Sequence, residues 1–181
     1  METPEQQHPT SPVSAPLNCV EERLWRSLQR LLVTLPRTLD EDLLRSTGLS
    51  LTQYTVLMHL SEADGTGLRM TDLATATGLS ASRITRLVET LRAEGLVVKR
   101  PHSTDARGSM AVLTEAGWRR LRGAYPAHLA SARRRVIDRL DPALVDQLAE
   151  ELRAVADPLQ ARCRASHDLR PEIAEQGTGR R

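Results

Sequence analysis

The sequence has none of the features that mark a secreted or membrane-spanning protein. No apolar run approaches the roughly 20 residues that a transmembrane helix needs, and residues 1–5 lack the basic start of a signal peptide. The two cysteines, Cys19 and Cys163, lie far apart and indicate neither a disulfide framework nor a zinc site. We therefore expect a cytoplasmic protein with reduced thiols and no membrane partner.

Signatures of an enzyme or of a cofactor site are also missing. The sequence contains no recognisable nucleophile–base pair, phosphate-binding glycine loop or pair of carboxylates at a catalytic spacing. His59, His102, His128 and His167 are widely separated from one another, so they do not form a metal-ligand motif. The sequence predicts no catalysis, no cofactor and no metal.

Phenylalanine is absent, and Lys99 is the only lysine among 25 Lys and Arg residues. A hydrophobic content of 40% and a charged content of 27% are typical of a folded domain, and 181 residues suffice for one domain with tails. The net charge of +2 does not by itself indicate nucleic-acid binding. The positions of the arginines must therefore decide that question.

Composition divides the chain into three parts. Residues 1–16 are rich in proline and polar side chains, which predicts a disordered leader, and residues 167–181 are expected to form a flexible tail. The domain is predicted to span residues 17–166. Within it, a smaller lobe is expected at about 52–113.

The first two helices are indicated by periodicity and by helix breakers. From Leu17 onward, apolar residues recur every three or four positions, which predicts a long first helix. Pro36 should kink or interrupt this helix and Gly48 should end it. A second, short helix is expected to start at Thr52.

A helix-turn-helix pattern follows. Thr71 is expected to cap a short helix, Gly78 to supply a left-handed turn residue, and Ser80 to cap the next helix. In the helix that Ser80 caps, the apolar residues form one stripe, which leaves polar and basic side chains on the other faces: Ser82, Arg83, Thr85 and Arg86. Such residues suit a recognition helix that enters the major groove of DNA.

Two short β-rich runs, 96–100 and 109–113, come next and predict a hairpin wing. Lys99 and Arg100 lie at its base, where we expect phosphate contacts. Asp105 and Arg107 lie at its tip. A carboxylate at this spacing can brace the arginine while its guanidinium enters a minor groove.

Two further helices complete the predicted fold. Thr114 is expected to open a long fifth helix, and Asp141 followed by Pro142 to open the sixth. The sixth helix carries a near-heptad apolar stripe, which normally requires a partner helix: Leu144, Leu148, Leu152, Val155 and Leu159. The predicted fold is mainly α, with six helices and a small β-hairpin.

The wing and the start of the fifth helix carry a family resemblance. The run Gly-Leu-Val-Val-Lys-Arg-Pro-His-Ser-Thr-Asp-Ala-Arg-Gly-Ser is followed by Leu-Thr-Glu-Ala-Gly. With these motifs the chain resembles the multiple-antibiotic-resistance regulator (MarR) family over about residues 20–165. Many members have an arginine where this chain has Lys99.

The resemblance implies a winged helix-turn-helix protein that is an obligate homodimer through its first, fifth and sixth helices. It also implies binding to double-stranded DNA at a pseudo-palindromic operator, as a repressor that a small-molecule effector releases. The family's ligand pocket lies between the first, second and fifth helices. By that resemblance, Trp25, Tyr54, His59 and Trp118 are expected to line it.

Two alternative functions remain open. One is a redox-sensing regulator that uses Cys19, although in the related peroxide sensors the reactive cysteine would align near Arg26 and the supporting tyrosines with Asp40 and Leu51. The other is a helical dimer scaffold that does not bind DNA. Such a scaffold would not need the wing with Arg107. The wing therefore argues against the scaffold alternative, whereas only the position of Cys19 argues against the redox sensor.

Arginines elsewhere on the surface have a simpler interpretation. The run 133–135 and the fifth-helix residues Arg119, Arg120 and Arg122 could in principle contact phosphate. Charge runs on helices are more often solvated or paired locally. We expect these arginines to be solvated or paired locally.

Overall fold

The computed structural model describes residues 15–63, 66–101 and 109–168, with side chains as far as residue 161. Within these ranges the chain forms six α-helices and three β-strands: α1 (Cys19–Thr47), α2 (Leu51–Ser61), β1 (Leu68–Arg69), α3 (Met70–Thr77), α4 (Ala81–Ala93), β2 (Val97–Pro101), β3 (Ser109–Leu113), α5 (Glu115–Arg135) and α6 (Val145–Asp168). Two 3₁₀ turns, Ile137–Arg139 and Pro142–Leu144, connect α5 to α6. The predicted six helices and hairpin are confirmed.

The chain divides into two compact units, Met1–Leu35 and Pro36–Arg181, with the boundary inside α1. In the first unit, Asn18 caps the start of α1: its Oδ1 accepts hydrogen bonds from the backbone N–H groups of Val20 and Glu21 at 2.8 and 3.0 Å. The carboxylate of Glu21 accepts one in return from the N–H of Asn18. This reciprocal arrangement satisfies N–H groups that a helix start otherwise leaves unpaired.

In the second unit, α1 continues through Pro36 and ends before Gly48, whose positive φ of 71° suits a residue without a Cβ. The expected interruption at Pro36 is therefore not found. The second helix starts at Leu51 rather than at Thr52, because Ser50 and Gln53 form a capping box. A serine cap followed three residues later by glutamine could have been recognised in the sequence.

The core of the second unit lies where α2, α3 and α4 meet the sheet. Its largest side chains are nearly or fully inaccessible to solvent: Leu43, Leu49, Val56, Leu57, Leu60, Leu73, Ile84, Val88, Leu91 and Val97. Each fully buried aliphatic side chain of this size stabilises the fold by about 1.5–3 kcal/mol before the entropy of ordering is subtracted. This burial fixes α4 against the rest of the unit.

The three strands form an antiparallel sheet in the order β1-β3-β2. The hairpin register pairs Val97 with Leu113 and Pro101 with Ser109, as expected for the wing. The sequence did not indicate β1, because two residues are too short to show an alternating pattern. Gly67, just before β1, approaches β3 so closely that a Cβ there would collide with the carbonyl oxygen of Ala111.

The junction between the wing and α5 explains the Leu-Thr-Glu-Ala-Gly motif. Thr114 caps α5, since its Oγ1 accepts a hydrogen bond from the N–H of Gly117 at 3.0 Å. The same hydroxyl lies 2.8 Å from the carbonyl oxygen of Gly95, to which it donates. A Cβ at Gly117 would collide with the carbonyl oxygen of Leu96, so only glycine allows this close packing.

The last helix begins differently from the prediction. Asp141 and Pro142 open a short 3₁₀ turn, in which Asp141 Oδ1 accepts from the N–H of Ala143 at 3.0 Å, and α6 follows from Val145. None of the described helices is long and apolar enough to cross a membrane.

Candidate nucleic-acid interface

The helix-turn-helix geometry is built by local hydrogen bonds. Gly78 ends α3 in the left-handed region, with φ 67°, and the N–H of Leu79 donates to the carbonyl of Ala74 at 3.1 Å. Ser80 then caps α4: its Oγ accepts from the N–H of Arg83 at 3.4 Å, and its carbonyl accepts from Ile84 at 2.9 Å. The predicted roles of Gly78 and Ser80 are confirmed.

The predicted cap at Thr71 is wrong. Arg69 precedes the first residue of α3 and makes no side-chain cap, while Thr71 lies one residue inside the helix. The helix starts earlier because β1 leads directly into it, so no separate capping turn is needed. Thr71 is exposed near the start of α3 and stays a candidate contact.

The two faces of α4 differ completely. Ile84, Val88 and Leu91 are 0% exposed and fix the helix to the core. The opposite side carries the exposed residues Ser82, Arg83, Thr85 and Arg86. Among the residues that the structure describes, no carboxylate pairs with either of these two arginines. A helix packed against the core by its buried stripe thus presents hydroxyls and guanidinium groups to solvent.

The base of the wing lies beside the C-terminal half of α4. Arg100 on β2 is exposed, whereas Lys99 Nζ forms an ion pair with Glu89 of α4 at 2.5 Å. Glu89 also binds Arg92 through its other oxygen, at 2.7 Å. Hydrogen bonding to Lys99 and then to Arg92 lowers the pKa of Glu89, so this carboxyl is anionic near neutral pH. Asp105 and Arg107, predicted for the wing tip, lie outside the described residues.

A cleft of about 420 Å³ lies between α2 and α5. Its lining combines two tyrosines with polar and apolar side chains: Tyr54, Met58, Ser61, Glu62, Leu121, Arg122 and Tyr125. Among the four residues that the family resemblance suggested for a ligand pocket, Tyr54 lines this cleft. His59 and Trp118 belong to the same unit but do not line it, and Trp25 lies in the first unit. No sequence pattern indicated Arg122 and Tyr125 at this place.

Behind the cleft, Tyr54 packs on His128, with ring centroids 4.4 Å apart. Burial lowers the pKa of His128, and its Nδ1 is buried without a hydrogen-bond partner among the described residues. Burial, followed by the proximity of Tyr125, raises the pKa of Tyr54. Both rings are therefore neutral near pH 7.

A carboxylate on α1 anchors the C-terminal part of α5. Asp42 Oδ2 accepts hydrogen bonds from Ser131 Oγ at 2.6 Å, Arg134 Nη2 at 2.9 Å and Arg135 Nε at 3.1 Å. These contacts, first of all that of Arg135, hold the pKa of Asp42 well below its usual range. Arg133 pairs locally with Asp138 at 2.9 Å, as expected, whereas Arg134 and Arg135 pair with the distant Asp42, so local pairing holds for only one residue of the run 133–135. No group of acidic, histidine or cysteine residues in the described ranges could hold a metal ion.

The positions that the peroxide sensors use are differently occupied. Arg26 pairs with Glu22 at 2.7 Å in the first unit. In the second unit, Asp40 Oδ1 accepts a hydrogen bond from the N–H of Leu51 at 2.6 Å. Cys19 is an exposed free thiol at the start of α1, and the side chain of Cys163 lies outside the described residues.

Comparisons with known proteins agree with this geometry. A family model described as the MarR family matches residues 47–108. The crystal structure of AbsC, a MarR family transcriptional regulator from Streptomyces coelicolor, shares 36% sequence identity with a TM-score of 0.72, over 82% of this chain and 99% of AbsC. The chain belongs to the MarR family.

Two further relatives carry bound partners. Sco3205, a MarR family regulator from the same species solved in complex with DNA, is 34% identical to this MarR-family chain, with a TM-score of 0.74 over 83% of this chain and 94% of Sco3205. CouR from Rhodococcus jostii RHA1, solved with p-coumaroyl-CoA, is 26% identical, with a TM-score of 0.65 over 78% of this chain and 97% of CouR. No curated protein sequence matches the chain significantly.

Proposed function

We propose that this MarR-family protein is a dimeric, sequence-specific DNA-binding regulator that acts as a repressor and is released by a small-molecule effector. The observation that carries the proposal is α4, whose buried stripe fixes it to the core while Arg83 and Arg86 stand exposed, without a carboxylate partner in the part of the chain that the structure describes. A recognition helix needs this combination, because base edges are read only by side chains that are held in register. Such a regulator would act where the chromosome lies, in the cytoplasm.

The proposed DNA surface joins α4 to neighbouring elements. Hydroxyls and guanidinium groups at the N-terminal half of α4 would read bases, and residues around it would bind phosphates. The surface comprises Thr71, Ser80, Ser82, Arg83, Thr85, Arg86 and Arg100, with Asp105 and Arg107 added from the wing tip. Lys99 lies beside this surface but is already paired with Glu89.

The proposed dimer rests on apolar surface that the single chain leaves open. Leu144, at the end of the 3₁₀ turn before α6, and Leu148, Leu152 and Val155 on α6 are between 36% and 63% exposed. Full burial of four such side chains would contribute about 1.5–3 kcal/mol each, so a second copy is the natural cover. A homodimer would also place two recognition helices on a pseudo-palindromic operator. The complex of Sco3205 with DNA supports this function by relationship.

We propose the cleft between α2 and α5 as the effector site. Tyr54 and Tyr125 offer aromatic surface, and Arg122 offers a cation that Glu115 only partly neutralises at 3.4 Å. A ligand that binds between α2 and α5 would act on the same unit that contains the helix-turn-helix of α3 and α4. CouR, which binds p-coumaroyl-CoA, supports a ligand-responsive mechanism by relationship.

The decisive experiment is selection of DNA fragments by the purified full-length protein, followed by sequencing. We expect enrichment of a pseudo-palindromic site, and loss of that enrichment in the double variant Arg83→Ala/Arg86→Ala. Arg119→Ala removes an arginine that pairs locally on α5 and is the matched control. Absence of any enriched sequence from the wild type would overturn the proposed function. Release of the selected duplex by a member of a small-molecule library would test the effector step.

A further inference from the structure

Glu89 occupies an unusual position between the recognition helix and the wing. One carboxylate oxygen binds Lys99 Nζ from β2 at 2.5 Å, and the other binds Arg92 Nε from the next turn of α4 at 2.7 Å. Lys99 is only 28% exposed, and a crevice lined by these three side chains and Val98 separates the two elements. The carboxylate therefore joins α4 to the base of the wing.

Two cations near the proposed DNA surface are neutralised by this arrangement, and two are not. Lys99 and Arg92 share Glu89, whereas Arg83 and Arg86 face solvent without a carboxylate partner among the described residues. Unpaired cations near DNA bind phosphates irrespective of sequence, because each neutralised phosphate releases condensed counterions. A cation held by a carboxylate contributes much less to that attraction.

We infer that Glu89 is a specificity-determining residue, which withholds Lys99 and Arg92 from phosphate binding and thereby lowers the affinity for non-operator DNA. The inference rests on the proposed function, because it concerns how the same surface distinguishes its site from other duplexes. Specificity is the ratio of the affinity for the operator to the affinity for non-operator DNA, and suppressing the sequence-independent part of the binding raises that ratio. In this arrangement Lys99 is a restrained cation of the wing base rather than one of the main phosphate-binding residues.

The test measures binding to two duplexes over a salt series: the selected site and a mixed-sequence duplex of about three helical turns. Glu89→Gln should bind the mixed duplex several-fold more tightly at low salt. Its slope of log affinity against log salt should steepen by about 0.9 for each additional phosphate that the protein neutralises, or by about 2 in a dimer whose Lys99 side chains each bind one more phosphate. The ratio of the two affinities should fall.

Matched variants separate this effect from a general change in charge. Glu94→Gln makes the same change in net charge five positions along the chain. Glu94 forms no ion pair in the described part of the protein, so this variant should leave the slope unchanged. Glu89→Gln/Lys99→Gln should lose the part of the increase that comes from Lys99, and Glu89→Gln/Arg92→Gln/Lys99→Gln should return the slope to nearly the wild-type value. Lys99→Gln alone should leave the slope unchanged, and it supplies a second test should Glu89→Gln fail to fold.

Each contrary result has a distinct meaning. An unchanged slope in Glu89→Gln, or weaker binding to both duplexes at an unchanged slope, would overturn the inference and leave a purely structural ion pair. A slope reduced by about 0.9 per protomer in Lys99→Gln would also overturn it, because Lys99 would then bind a phosphate in the wild type. Failure of the wild type to bind either duplex would instead overturn the proposed function, and this inference with it.

Discussion

Two amphipathic helices of this protein, α4 and α6, carry the same kind of apolar stripe with opposite results. In α4 the stripe residues Ile84, Val88 and Leu91 are 0% exposed, whereas in α6 Leu152 and Val155 are 55% and 63% exposed. Periodicity alone does not distinguish the two cases. One helix finds its covering surface within its own chain, and the other finds none among the residues that the structure describes.

The contrast also separates two kinds of stability. The packing around α4 comes from elements close to it in the sequence, so it forms within one chain. We propose that the packing of α6 comes from a second copy, which makes its stabilisation depend on protein concentration. The following predictions test this division.

The largest effect is expected from charges placed in the α6 stripe. Leu148→Asp/Leu152→Asp should abolish dimerisation and, with it, tight binding to the operator, because unpaired carboxylates would have to be buried in the interface. Analytical ultracentrifugation at micromolar concentration measures the result. Gln147→Asp, about 100° around the helix from Leu148, is the matched control and should remain dimeric. A folded wild-type monomer at that concentration would contradict the proposed dimer.

A truncation in the α4 stripe should act within the single chain. Leu91→Ala removes a side chain that is fully buried, and we expect the free energy of unfolding to fall by about 2–5 kcal/mol. Urea unfolding at two protein concentrations measures it, and the loss should be the same at both. Thr90→Ala, on the exposed side, should change stability by no more than about 0.5 kcal/mol. A concentration-dependent loss in Leu91→Ala would remove the distinction between the two helices.

The outer face of α4 and the wing tip are expected to govern DNA binding without affecting stability. Arg86→Ala should cost about 1–3 kcal/mol in binding and relax the choice of sequence, whereas Arg107→Ala should weaken binding to all duplexes. Fluorescence anisotropy with matched and scrambled sites over a salt series distinguishes the two. The salt slope should shrink by about 0.9 for every phosphate that a variant no longer neutralises. Unchanged affinity in both variants would eliminate the winged-helix mechanism.

A smaller, pH-dependent effect on the free energy of unfolding is expected from Asp42, whose buried polar contacts lie within the second unit. Its pKa is well below the value of about 3.9 in an unfolded chain, so its stabilisation is fully present above that value and is lost as the pH falls through the folded pKa. The difference in unfolding free energy between the wild type and Asp42→Asn should therefore be constant above about pH 5 and shrink below about pH 4.

Chemical unfolding over a series of pH values measures this difference. Glu41→Gln, an exposed neighbour on α1, is the control and should show a much weaker dependence. A difference between the wild type and Asp42→Asn that does not vary with pH would show that the contacts of Asp42 do not depend on its charge.

The smallest effect is expected from the thiols. Cys19 is exposed, and neither it nor Cys163 occupies the position used by the peroxide sensors, so Cys19→Ser/Cys163→Ser should bind and release DNA like the wild type. Electrophoretic mobility shift with and without peroxide measures this. Release of the wild type by peroxide, together with resistance of the double variant, would reinstate the redox-sensing alternative.

Features that depend on a few consecutive residues could be predicted from the sequence. Gly78, Ser80 and Thr114 were identified because turn and cap residues act through hydrogen bonds three or four positions away. The same local rules did not identify β1, since a two-residue strand is defined only by its pairing with β3. They also misplaced the cap of α3 at Thr71, because β1 feeds directly into that helix.

Contacts between distant parts of the chain could not be predicted. Nothing in the sequence joins Asp42 to Ser131, which are 89 positions apart, or Glu89 to Lys99 across the wing. Both are ion pairs or hydrogen bonds of ordinary residue types, and only their positions in space make them specific. The cleft lined by Tyr54 and Tyr125 has the same origin.

Periodicity, caps and motifs that are local along the chain were sufficient to determine the helices, the helix-turn-helix, the wing strands and the family. Which charges are free and which are engaged was settled only by folding. Arg86 and Lys99 are both cations in the same basic stretch, yet one faces solvent and the other is held by Glu89. Electrostatic attraction depends on the distance between charges in space, and folding sets that distance independently of sequence separation.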